Sequence, residues 1–525
     1  MTAVPTTTFP DVIPVLNPAT QQRVGEIHQY DKPAVSACVD RALAAQRKWA
    51  ATTIWRRIRV LKEFRRLLCE QKDAVADVIT REAGKPKSEA LATEVMVILD
   101  TVGFLADYAP MFLQPEPVPH SNPIMKLKRG WLRREPYGVI GIISPWNYPF
   151  SVPAVETLSA LITGNAVVLK PSEFTPFSSL KLQELLLAAG LDRELFQVMT
   201  GDGSTGAALL SSNIQKIVFT GSVATGKKVA QAAATRLLPA VLELGGKDPM
   251  IVLEDVDIEV ASSAAVWGAF MNAGQTCLSI ERCYVHESIY EPFLKACVEK
   301  TAKLRVGNGA DVSTDIGPLI HQPQLKIVRE HVEDAIAAGA RLLAGGKTLP
   351  ELGPNFYAPT ILADVTHSMR IMREETFGPV LPVRSFRNDD EAVALANQSE
   401  FGLAASVWTS NRKRGEALAA RVNAGTVMVN DVIACFGISE APHGGVKTSG
   451  IGRTHGKLGL EEMVWPKYID SDRLPRMKKL WWYGYGPQFL LQMEGFIDFL
   501  FSGKLSARLR GGMQSTSAYL RRKLL

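Results

Sequence analysis

Four short runs of apolar, largely β-branched residues in the middle of this chain are separated by segments with helical character. Strands that are apolar along their whole length are buried on both faces of a sheet, and the helices between them supply the cover. The pattern therefore predicts an α/β fold built on an open parallel sheet. The predicted strands are residues 138–143, 165–169, 196–199 and 216–220, and the predicted helices are 179–189 and 226–237.

A further set of elements predicts a second α/β domain. It begins with the apolar run 250–253 and continues with helices at 260–268, 291–303 and 324–338. A chain of 525 residues agrees with roughly two to four domains. Ahead of the first predicted strand, residues 124–134 alternate apolar and basic side chains, as an exposed strand does.

Cysteine usage and the N-terminus indicate a reducing compartment such as the cytoplasm. The six cysteines are irregularly spaced, without a paired framework or a Cys-x-x-Cys metal motif. The first ten residues are polar and do not form a signal peptide. Residues 136–155 have the length of a membrane span, but Pro145, Pro149 and Pro153 favour a buried strand followed by a loop.

The basic charge of the chain is concentrated at its C-terminal end. Residues from Arg473 onward include ten basic and two acidic side chains, so the preceding residues contribute −2 to the formal net charge of +6. A nucleic-acid surface on the main body is therefore not indicated. The tail, residues 471–525, also carries Trp481, Trp482 and an apolar stretch, 489–501, that is too short to span a bilayer. It fits either an interfacial anchor on the inner face of a membrane or an extension packed on the body or on another subunit.

Two residues in loop-like, small-residue settings predict covalent catalysis. Cys277 ends the segment Asn-Ala-Gly-Gln-Thr-Cys, and Glu243 opens Glu-Leu-Gly-Gly-Lys thirty-four positions earlier. A thiolate adds readily to an electrophilic carbon, and a carboxylate can activate the water that releases the acyl group. Taken alone, each cysteine of this chain is more simply a small buried hydrophobe.

The turn between Gly221 and Gly226 predicts a phosphate site. It joins a strand to a helix, so backbone N–H groups and the helix N-terminus face the same point. The segment nearly matches the Walker A pattern, but Lys228 stands where that pattern has a magnesium-binding hydroxyl. A nucleotide triphosphatase and a plain strand-to-helix turn are the alternatives at this point.

Six separated motifs, in order, resemble the NAD(P)-dependent aldehyde dehydrogenase family over residues 15–470. Besides the segments around Glu243 and Cys277, they are Pro-Trp-Asn-Tyr-Pro (145–149), Lys-Pro-Ser-Glu (170–173), Phe-Thr-Gly-Ser-Val-Ala-Thr-Gly (219–226) and Glu-Glu-Thr-Phe-Gly-Pro (374–379). The resemblance implies a homodimer or homotetramer and a division into four parts. These are a Rossmann-like NAD-binding domain (1–116 and 137–245), a catalytic domain (246–446), β oligomerisation segments (117–136 and 461–470) and the tail.

The resemblance also implies a mechanism. Cys277 attacks the aldehyde carbon, and the oxyanion accepts hydrogen bonds from the Asn147 side-chain amide and the Cys277 backbone N–H. Hydride transfer then leaves a thioester, which a water activated by Glu243 hydrolyses. Relatives that transfer the acyl group to coenzyme A commonly lack this glutamate, so the sequence favours release of the free acid.

For the cofactor, the resemblance implies that Lys170 and Glu173 contact the adenosine ribose hydroxyls. Both follow a predicted strand at its carboxyl end, where open α/β sheets bind ligands. A carboxylate there repels a 2′-phosphate, which favours NAD, although some relatives with this acid also use NADP. The other residues expected around the cofactor are Gly221 and Ser222 at the pyrophosphate, Glu375 and Phe377 at the nicotinamide and its ribose, and Trp146.

The substrate is expected to be an apolar aldehyde, with a medium- or long-chain aliphatic or an aromatic group. By resemblance, a substrate tunnel is lined by Trp146, Phe150 and residues near Asn430 and Phe436. The alternative is succinate semialdehyde, because Arg282 lies in a segment similar to that of succinate-semialdehyde dehydrogenases. Arg282 could equally be a structural ion-pair partner.

The chain departs from the family pattern near the expected substrate mouth. His443 stands where a phenylalanine usually precedes the Gly-Gly pair, and the loop 431–441 is slightly longer. A non-catalytic nucleotide-binding or structural protein is the alternative of another class, and intact Cys277, Glu243 and Asn147 argue against it. A thiol hydrolase without a cofactor would not need the predicted cofactor residues.

Overall fold

The computed structural model describes residues 12–123, 125–479 and 481–524. The predictions made for the first ten residues, for the start of the NAD-binding domain and for Ile124 lie outside this part of the chain. The chain forms two compact units. The first contains the described residues up to Glu116 together with Leu132–Lys467, and the second contains Pro117–Trp131 and the residues from Tyr468 onward.

Strands and helices alternate through most of the described chain. The strands are β1 Val12–Leu16, β2 Arg23–His28, β3 Glu116–Val118, β4 Lys128–Pro136, β5 Val139–Ile143, β6 Ala166–Lys170, β7 Phe196–Val198, β8 Lys216–Thr220, β9 Ala240–Glu243, β10 Asp248–Val252, β11 Ile280–His286, β12 Arg341–Ala344, β13 Thr360–Ala363, β14 Val380–Phe386, β15 Ala404–Trp408, β16 Thr426–Val429, β17 Gly450–Ile451 and β18 Val464–Asp472. The helices are α1 Lys32–Ala50, α2 Ile54–Glu70, α3 Lys72–Ala83, α4 Lys87–Ala90, α5 Met96–Phe112, α6 Ser151–Ile162, α7 Pro176–Ala188, α8 Gly203–Ser211, α9 Val223–Ala234, α10 Ile258–Phe270, α11 Tyr290–Thr301, α12 Gln322–Ala337, α13 Asp389–Asn397, α14 Arg412–Ala419, α15 Gly456–Glu462, α16 Pro487–Phe501 and α17 Leu505–Leu524.

The first large sheet has six strands in the order β17-β9-β8-β5-β6-β7. Strands β5 to β9 are parallel, and the short β17 is antiparallel to β9. All five residues of β6 are buried, and the four before Lys170 are apolar, as a strand covered on both faces requires. Because β5 lies between β6 and β8, the connections reverse direction beside β5, and ligands of doubly wound sheets bind at the carboxyl ends of strands at such a point. The predicted Rossmann-like α/β class is confirmed.

The second large sheet has seven strands in the order β12-β13-β14-β11-β10-β15-β16. Only β12 is antiparallel to its neighbour. This sheet has its own hydrophobic core, formed by Tyr148 and by residues from Met250 to Cys435, whereas the core of the first sheet uses residues up to Leu244 with Leu460 and Met463. The predicted boundary between the two domains at residues 245–246 stays a prediction. In this stretch, residues up to Leu244 belong to the core of the first sheet, and residues from Met250 belong to the core of the second.

Helix boundaries differ from the predicted ones by a few residues, for local reasons. Helix α7 begins at Pro176, because proline is well suited to the first turn. Helix α9 begins at Val223, because the Ser222 hydroxyl caps it by accepting from the Thr225 N–H. The exposed strand predicted at 124–134 begins only at Lys128, since residues Met125–Leu127 form a 3-10 turn. Strand β18 joins this strand in a three-stranded sheet of order β18-β4-β3.

Residues Lys87–Phe112 form a nearly continuous helical stretch that is long and apolar enough to cross a membrane. Half of its most apolar window is buried within the protein. Val102 is fully buried and Leu105 almost fully. We interpret this stretch as a core helix of the first unit.

The tail in the second unit folds as a helical hairpin of α16 and α17. The helices approach closely at Gly495 and Gly511, since a Cβ at either glycine would lie 2.5 to 2.6 Å from the carbonyl oxygen of the other. The side chains buried along this hairpin are small or polar, including Gln492, Ser515 and Ala518. Most of its large apolar side chains point outward, whereas Met493, Phe496 and Leu500 are half-buried. The exposed ones are Leu490, Leu491, Ile497, Phe499, Phe501, Leu505, Leu509, Met513 and Leu520.

Candidate active site

The loop that carries Cys277 begins where α10 ends and has an unusual backbone. Asn272 and Ala273 adopt positive φ angles of 52° and 54°, which cost free energy in residues other than glycine. The Glu89 carboxylate accepts from the Asn272 N–H at 3.1 Å and helps to hold this geometry. Gly274 is required, because a Cβ there would lie 2.0 Å from the carbonyl oxygen of Gly378. These contacts therefore determine the path of the backbone that leads to Cys277.

Asn147 is attached to the same loop. It follows β5 at the carboxyl edge of the six-stranded sheet. Its side-chain amide donates to the Gln275 carbonyl at 3.0 Å, and the Asn272 amide donates to the Asn147 carbonyl at 3.1 Å. An Asn side chain has two N–H donors, so the bond to Gln275 leaves the second one for another acceptor.

One cavity of about 920 Å³ gathers most of the predicted site residues. It extends from the carboxyl ends of β5 and β8 in the first sheet to the loops that precede β10 and β11 in the second. Its wall includes eight of the ten predicted catalytic and cofactor residues: Trp146, Asn147, Gly221, Ser222, Glu243, Cys277, Glu375 and Phe377.

Glu243 ends β9 and is buried, and neither of its carboxylate oxygens has a hydrogen-bond partner in the described structure. Burial, and then the nearby Glu156, raises the pKa of Glu243 well above its usual range. Burial also raises the pKa of the Cys277 thiol, and the carboxylates of Asp248, Glu375 and Glu243 add to the effect. The site therefore holds a strongly basic carboxylate and a thiol that needs a base or a positive charge before it reacts.

The Glu375–Phe377 segment is positioned by an ion pair that the sequence analysis missed. Glu281 accepts from the backbone N–H groups of Thr376 and Phe377 at 2.8 Å. Its carboxylate pairs with the fully buried Lys247. The Glu375 carboxylate in turn accepts from the Gly246 N–H at 3.1 Å. Lys247 belongs to the Glu-Leu-Gly-Gly-Lys segment, so its place in that motif was the one signal that pointed to it.

The predicted phosphate turn lies at the N-terminus of α9, where Gly221 and Ser222 line the cavity. Gly226 packs on Leu244, since a Cβ at this glycine would lie 2.4 Å from the leucine side chain. The helix therefore stays close to the end of β9, with its positive end towards the cavity. These residues fit a dinucleotide phosphate that approaches the backbone.

Lys170 and Glu173 lie outside the cavity wall. Lys170 ends β6 at the carboxyl edge of the same sheet, and its ammonium lies 3.2 Å from the Glu173 carboxylate. The ring of Phe174, next in the chain, packs edge-on against His321 at 4.7 Å between centroids, and His321 also packs against Trp146. Lys170 and Glu173 are thus connected to the cavity through the packed rings of Phe174, His321 and Trp146.

Of the residues expected near the substrate, Phe150 and the alternative carboxylate contact Arg282 do not lie in the cavity wall. Asn430 is also absent from the wall, whereas its neighbours Ile433 and Ala434 belong to it. Phe150 is fully buried in the core of the first sheet, because α6 begins at the next residue and turns the ring inward. Asn430 is exposed and exchanges hydrogen bonds with the backbone of Thr409 at 2.9 Å. Arg282 is buried within the second sheet, where its guanidinium donates to the carbonyl groups of Lys247, Leu395 and Ala396.

Phe436 lines the cavity, and so does His443, which was expected near the substrate mouth. Two further residues of the wall, His455 and Glu156, were not predicted there. Phe436 packs edge-on against the rings of both histidines. Glu156, on α6, accepts from the Thr220 hydroxyl at 3.0 Å, and burial raises its pKa to about 8. No local motif marks Glu156, because its environment comes from distant segments.

Comparison with known proteins agrees with this arrangement. Residues 4–469 match the sequence profile of the aldehyde dehydrogenase family. The chain belongs to this family. It is accordingly an NAD(P)-dependent oxidoreductase that oxidises aldehydes.

Relatives of this aldehyde dehydrogenase carry different names. A protein of Mycolicibacterium smegmatis, provisionally named as a succinate-semialdehyde dehydrogenase [NADP(+)], is 41% identical over 84% of this chain and 85% of its own length. The 4,4'-diapolycopene aldehyde oxidase of a Methylomonas species is 38% identical over 90% of this chain and 88% of its own.

Solved structures share the fold. The NAD-dependent aldehyde dehydrogenase of Sinorhizobium meliloti is 35% identical, with a TM-score of 0.85 over 90% of this chain and 93% of that one. An aldehyde dehydrogenase of Bacillus cereus, solved with NAD+, is 34% identical, with a TM-score of 0.83 over 88% of this chain and 93% of its own.

Proposed function

We propose that this aldehyde dehydrogenase oxidises an apolar aldehyde to its carboxylic acid, with Cys277 as nucleophile and Glu243 as the base that hydrolyses the thioester. One observation carries the proposal. Cys277 and Glu243 open into the same cavity, and the described part of its wall contains no lysine or arginine.

Once the thiol proton has passed to solvent water, the Cys277 thiolate attacks the aldehyde carbon, so a C–S bond forms and the carbonyl oxygen becomes an oxyanion. The free N–H of Asn147 and the Cys277 backbone N–H supply its hydrogen bonds. The hydrogen bonds that join Asn147, Asn272 and Gln275 keep these donors in place before the substrate arrives.

NAD, when bound, supplies the acceptor for the hydride, and this leaves a thioester on Cys277. Gly221, Ser222 and the α9 N-terminus would hold its pyrophosphate, and Glu375 and Phe377 its nicotinamide end. Lys170 and Glu173 would hold the adenosine ribose, with Glu173 favouring NAD over NADP. Glu243 then takes a proton from water, the water oxygen bonds to the thioester carbon, and the C–S bond breaks to release the acid.

The chemistry of the cavity wall supports an apolar substrate. The wall includes Met96, Val152, Trp267, Met271, Ile433 and Phe436, and in its described part the side chains that can carry charge near neutral pH are carboxylates and histidines. Succinate semialdehyde carries a carboxylate, which needs a cation for recognition. Arg282, the candidate for that role, is committed to backbone carbonyls. The Methylomonas relative is named for the aldehyde of a hydrocarbon, 4,4'-diapolycopene.

A substrate panel tests this proposal. Absorbance of reduced nicotinamide would be followed with NAD and equal concentrations of hexanal, decanal, benzaldehyde and succinate semialdehyde, with Cys277→Ala as the control. We expect the highest kcat/KM for one of the apolar aldehydes and no turnover by Cys277→Ala. A clear preference for succinate semialdehyde would overturn the substrate class. No turnover of any aldehyde by the full chain would favour the alternative of a non-catalytic nucleotide-binding protein.

We also propose that the tail hairpin contacts a membrane surface from the cytoplasmic side and does not cross it. Its small residues face inward and its large apolar residues face outward, which is the arrangement of helices that associate in lipid. Lys504, Arg508 and Arg510 add positive charge, which favours anionic lipid. We further propose that the enzyme is a homodimer or homotetramer, in which β4 and β18 pair the subunits.

A further inference from the structure

Two buried imidazoles stand beside the predicted base in the cavity wall. The rings of His443 and His455 lie 5.7 Å apart between centroids, and both side chains are more than nine-tenths buried. His443 is followed by Gly444, which has a φ of 144°. A Cβ at Gly444 would lie 2.7 Å from Glu243 Oε1, so only glycine brings this segment so close to the carboxylate.

The separation between His443 and Glu243 fits one bridging water. His443 Nε2 lies 3.9 Å from Glu243 Oε2, which exceeds a direct hydrogen bond. A water about 2.8 Å from each atom closes this gap. Both Glu243 oxygens are buried without a hydrogen-bond partner in the described structure. Buried polar atoms left in this way mark a place for water or ligand.

The pair cannot act as a salt bridge at neutral pH. Burial, with the nearby Arg453 guanidinium as the smaller cause, lowers the pKa of His443 to about 4. The charged and titratable groups around the pair are Arg453, Glu156, Glu462 and His455. A neutral ring can orient a water by one hydrogen bond without protonating Glu243.

We propose that His443 is a positioning residue that, together with Glu243, holds the water which hydrolyses the thioester on Cys277. The inference rests on the proposed roles of Cys277 and Glu243. One O–H bond of this water breaks and its proton moves to Glu243, while its oxygen bonds to the thioester carbon. The C–S bond then breaks, the acid leaves, and the sulfur regains a proton from Glu243. His443 Nε2 makes the second hydrogen bond to the water and stays neutral throughout.

Pre-steady-state kinetics distinguish this role from a structural one. They use the full chain, NAD and an aldehyde that the wild-type enzyme oxidises. In His443→Phe we expect the first turnover of NADH to keep its rate within about twofold, whereas steady-state turnover falls about tenfold, the loss of one hydrogen bond in the second step. Mass spectrometry of the quenched variant should detect acylated Cys277. His443→Gln, whose amide can still bind water, should regain part of the steady-state rate.

His286→Phe is the control, because it removes an imidazole outside the cavity wall, at the end of β11. We expect it to keep the wild-type ratio of first-turnover rate to steady-state rate. A parallel fall of both rates in His443→Phe and His443→Gln, without acylated Cys277, would overturn the inference. If His443→Phe does not fold, the same comparison is decided by His443→Gln. Failure of wild type to form NADH from any aldehyde would instead overturn the proposed function.

Discussion

The side-chain amide of Asn147 donates a 3.0 Å hydrogen bond to the Gln275 carbonyl, two residues before Cys277. The residue predicted to bind the oxyanion therefore also anchors the nucleophile loop. We expect Asn147→Ala to lower kcat by about 10²- to 10³-fold, the effect of losing an oxyanion donor. Asn430→Ala, which removes an asparagine outside the cavity, should keep kcat. Steady-state kinetics would check both, and near-wild-type kcat in Asn147→Ala would contradict the assignment.

Cofactor choice tests the Lys170–Glu173 pair. A carboxylate at Glu173 should repel the 2′-phosphate of NADP, so wild type should have the higher kcat/KM with NAD. Glu173→Gln should narrow this preference by about tenfold, the loss of one charge repulsion near the surface. Glu184→Gln changes a similar exposed pair with Lys181 and should leave the preference unaltered. A wild-type enzyme that prefers NADP would count against this role of Glu173.

Glu156 should make the stability of the protein depend on pH. Its pKa is raised by burial from 4.5 to about 8, so between these values the folded state keeps a proton that the unfolded state releases. This proton contributes at most about 5 kcal/mol to the free energy of unfolding. The contribution is fully present below pH 4.5 and is lost as the pH rises through about 8. Glu156→Gln should therefore lose less stability than wild type between pH 5 and 8.5.

Denaturant unfolding at each pH would measure this difference. Exposed Glu70→Gln serves as the control and should follow the wild-type curve. If Glu156→Gln and wild type lost the same free energy of unfolding over this range, Glu156 would not be the protonated group that the structure indicates.

The tail should bind anionic membranes reversibly. Each Lys or Arg near such a surface contributes about 1 kcal/mol, and the outward apolar residues of α16 and α17 add contact with lipid. The full chain and a chain ending at Asp470 would be sedimented with phosphatidylserine vesicles at low and high salt. We expect only the full chain to sediment, and less of it at high salt. Equal sedimentation of the two would assign the tail to subunit packing.

The sequence predicted the parts of the site that depend on short motifs. Cys277, Glu243 and Asn147 lie in one cavity, because strand ends and tight loops determine where such motifs fall. The residues whose roles were left open or missed depend on distant partners. The position of Arg282 follows from carbonyl groups more than a hundred positions away, and the importance of Glu281 follows from its ion pair with Lys247. Phe150 was misplaced because the start of α6 decides where its ring points.

The tail illustrates a similar limit. Its apolar stretch and basic flanks were evident in the sequence, but the inward placement of the glycines and the outward placement of the large side chains were not. Helix periodicity alone does not decide which face of α16 packs on α17, since the close approach at Gly495 and Gly511 requires both helices. The proposed contact with lipid depends on this arrangement, because it exposes the large apolar side chains of α16 and α17.

The most direct test of the account is a single-turnover experiment on Glu243→Gln. The variant would be mixed with excess NAD and an apolar aldehyde, and NADH formation and the mass of the Cys277 peptide would be followed together. Because Glu243 is assigned only to the hydrolysis of the thioester, we expect about one NADH per active site, followed by a stall with Cys277 acylated. Sustained turnover, or a stall with Cys277 unmodified, would contradict the account.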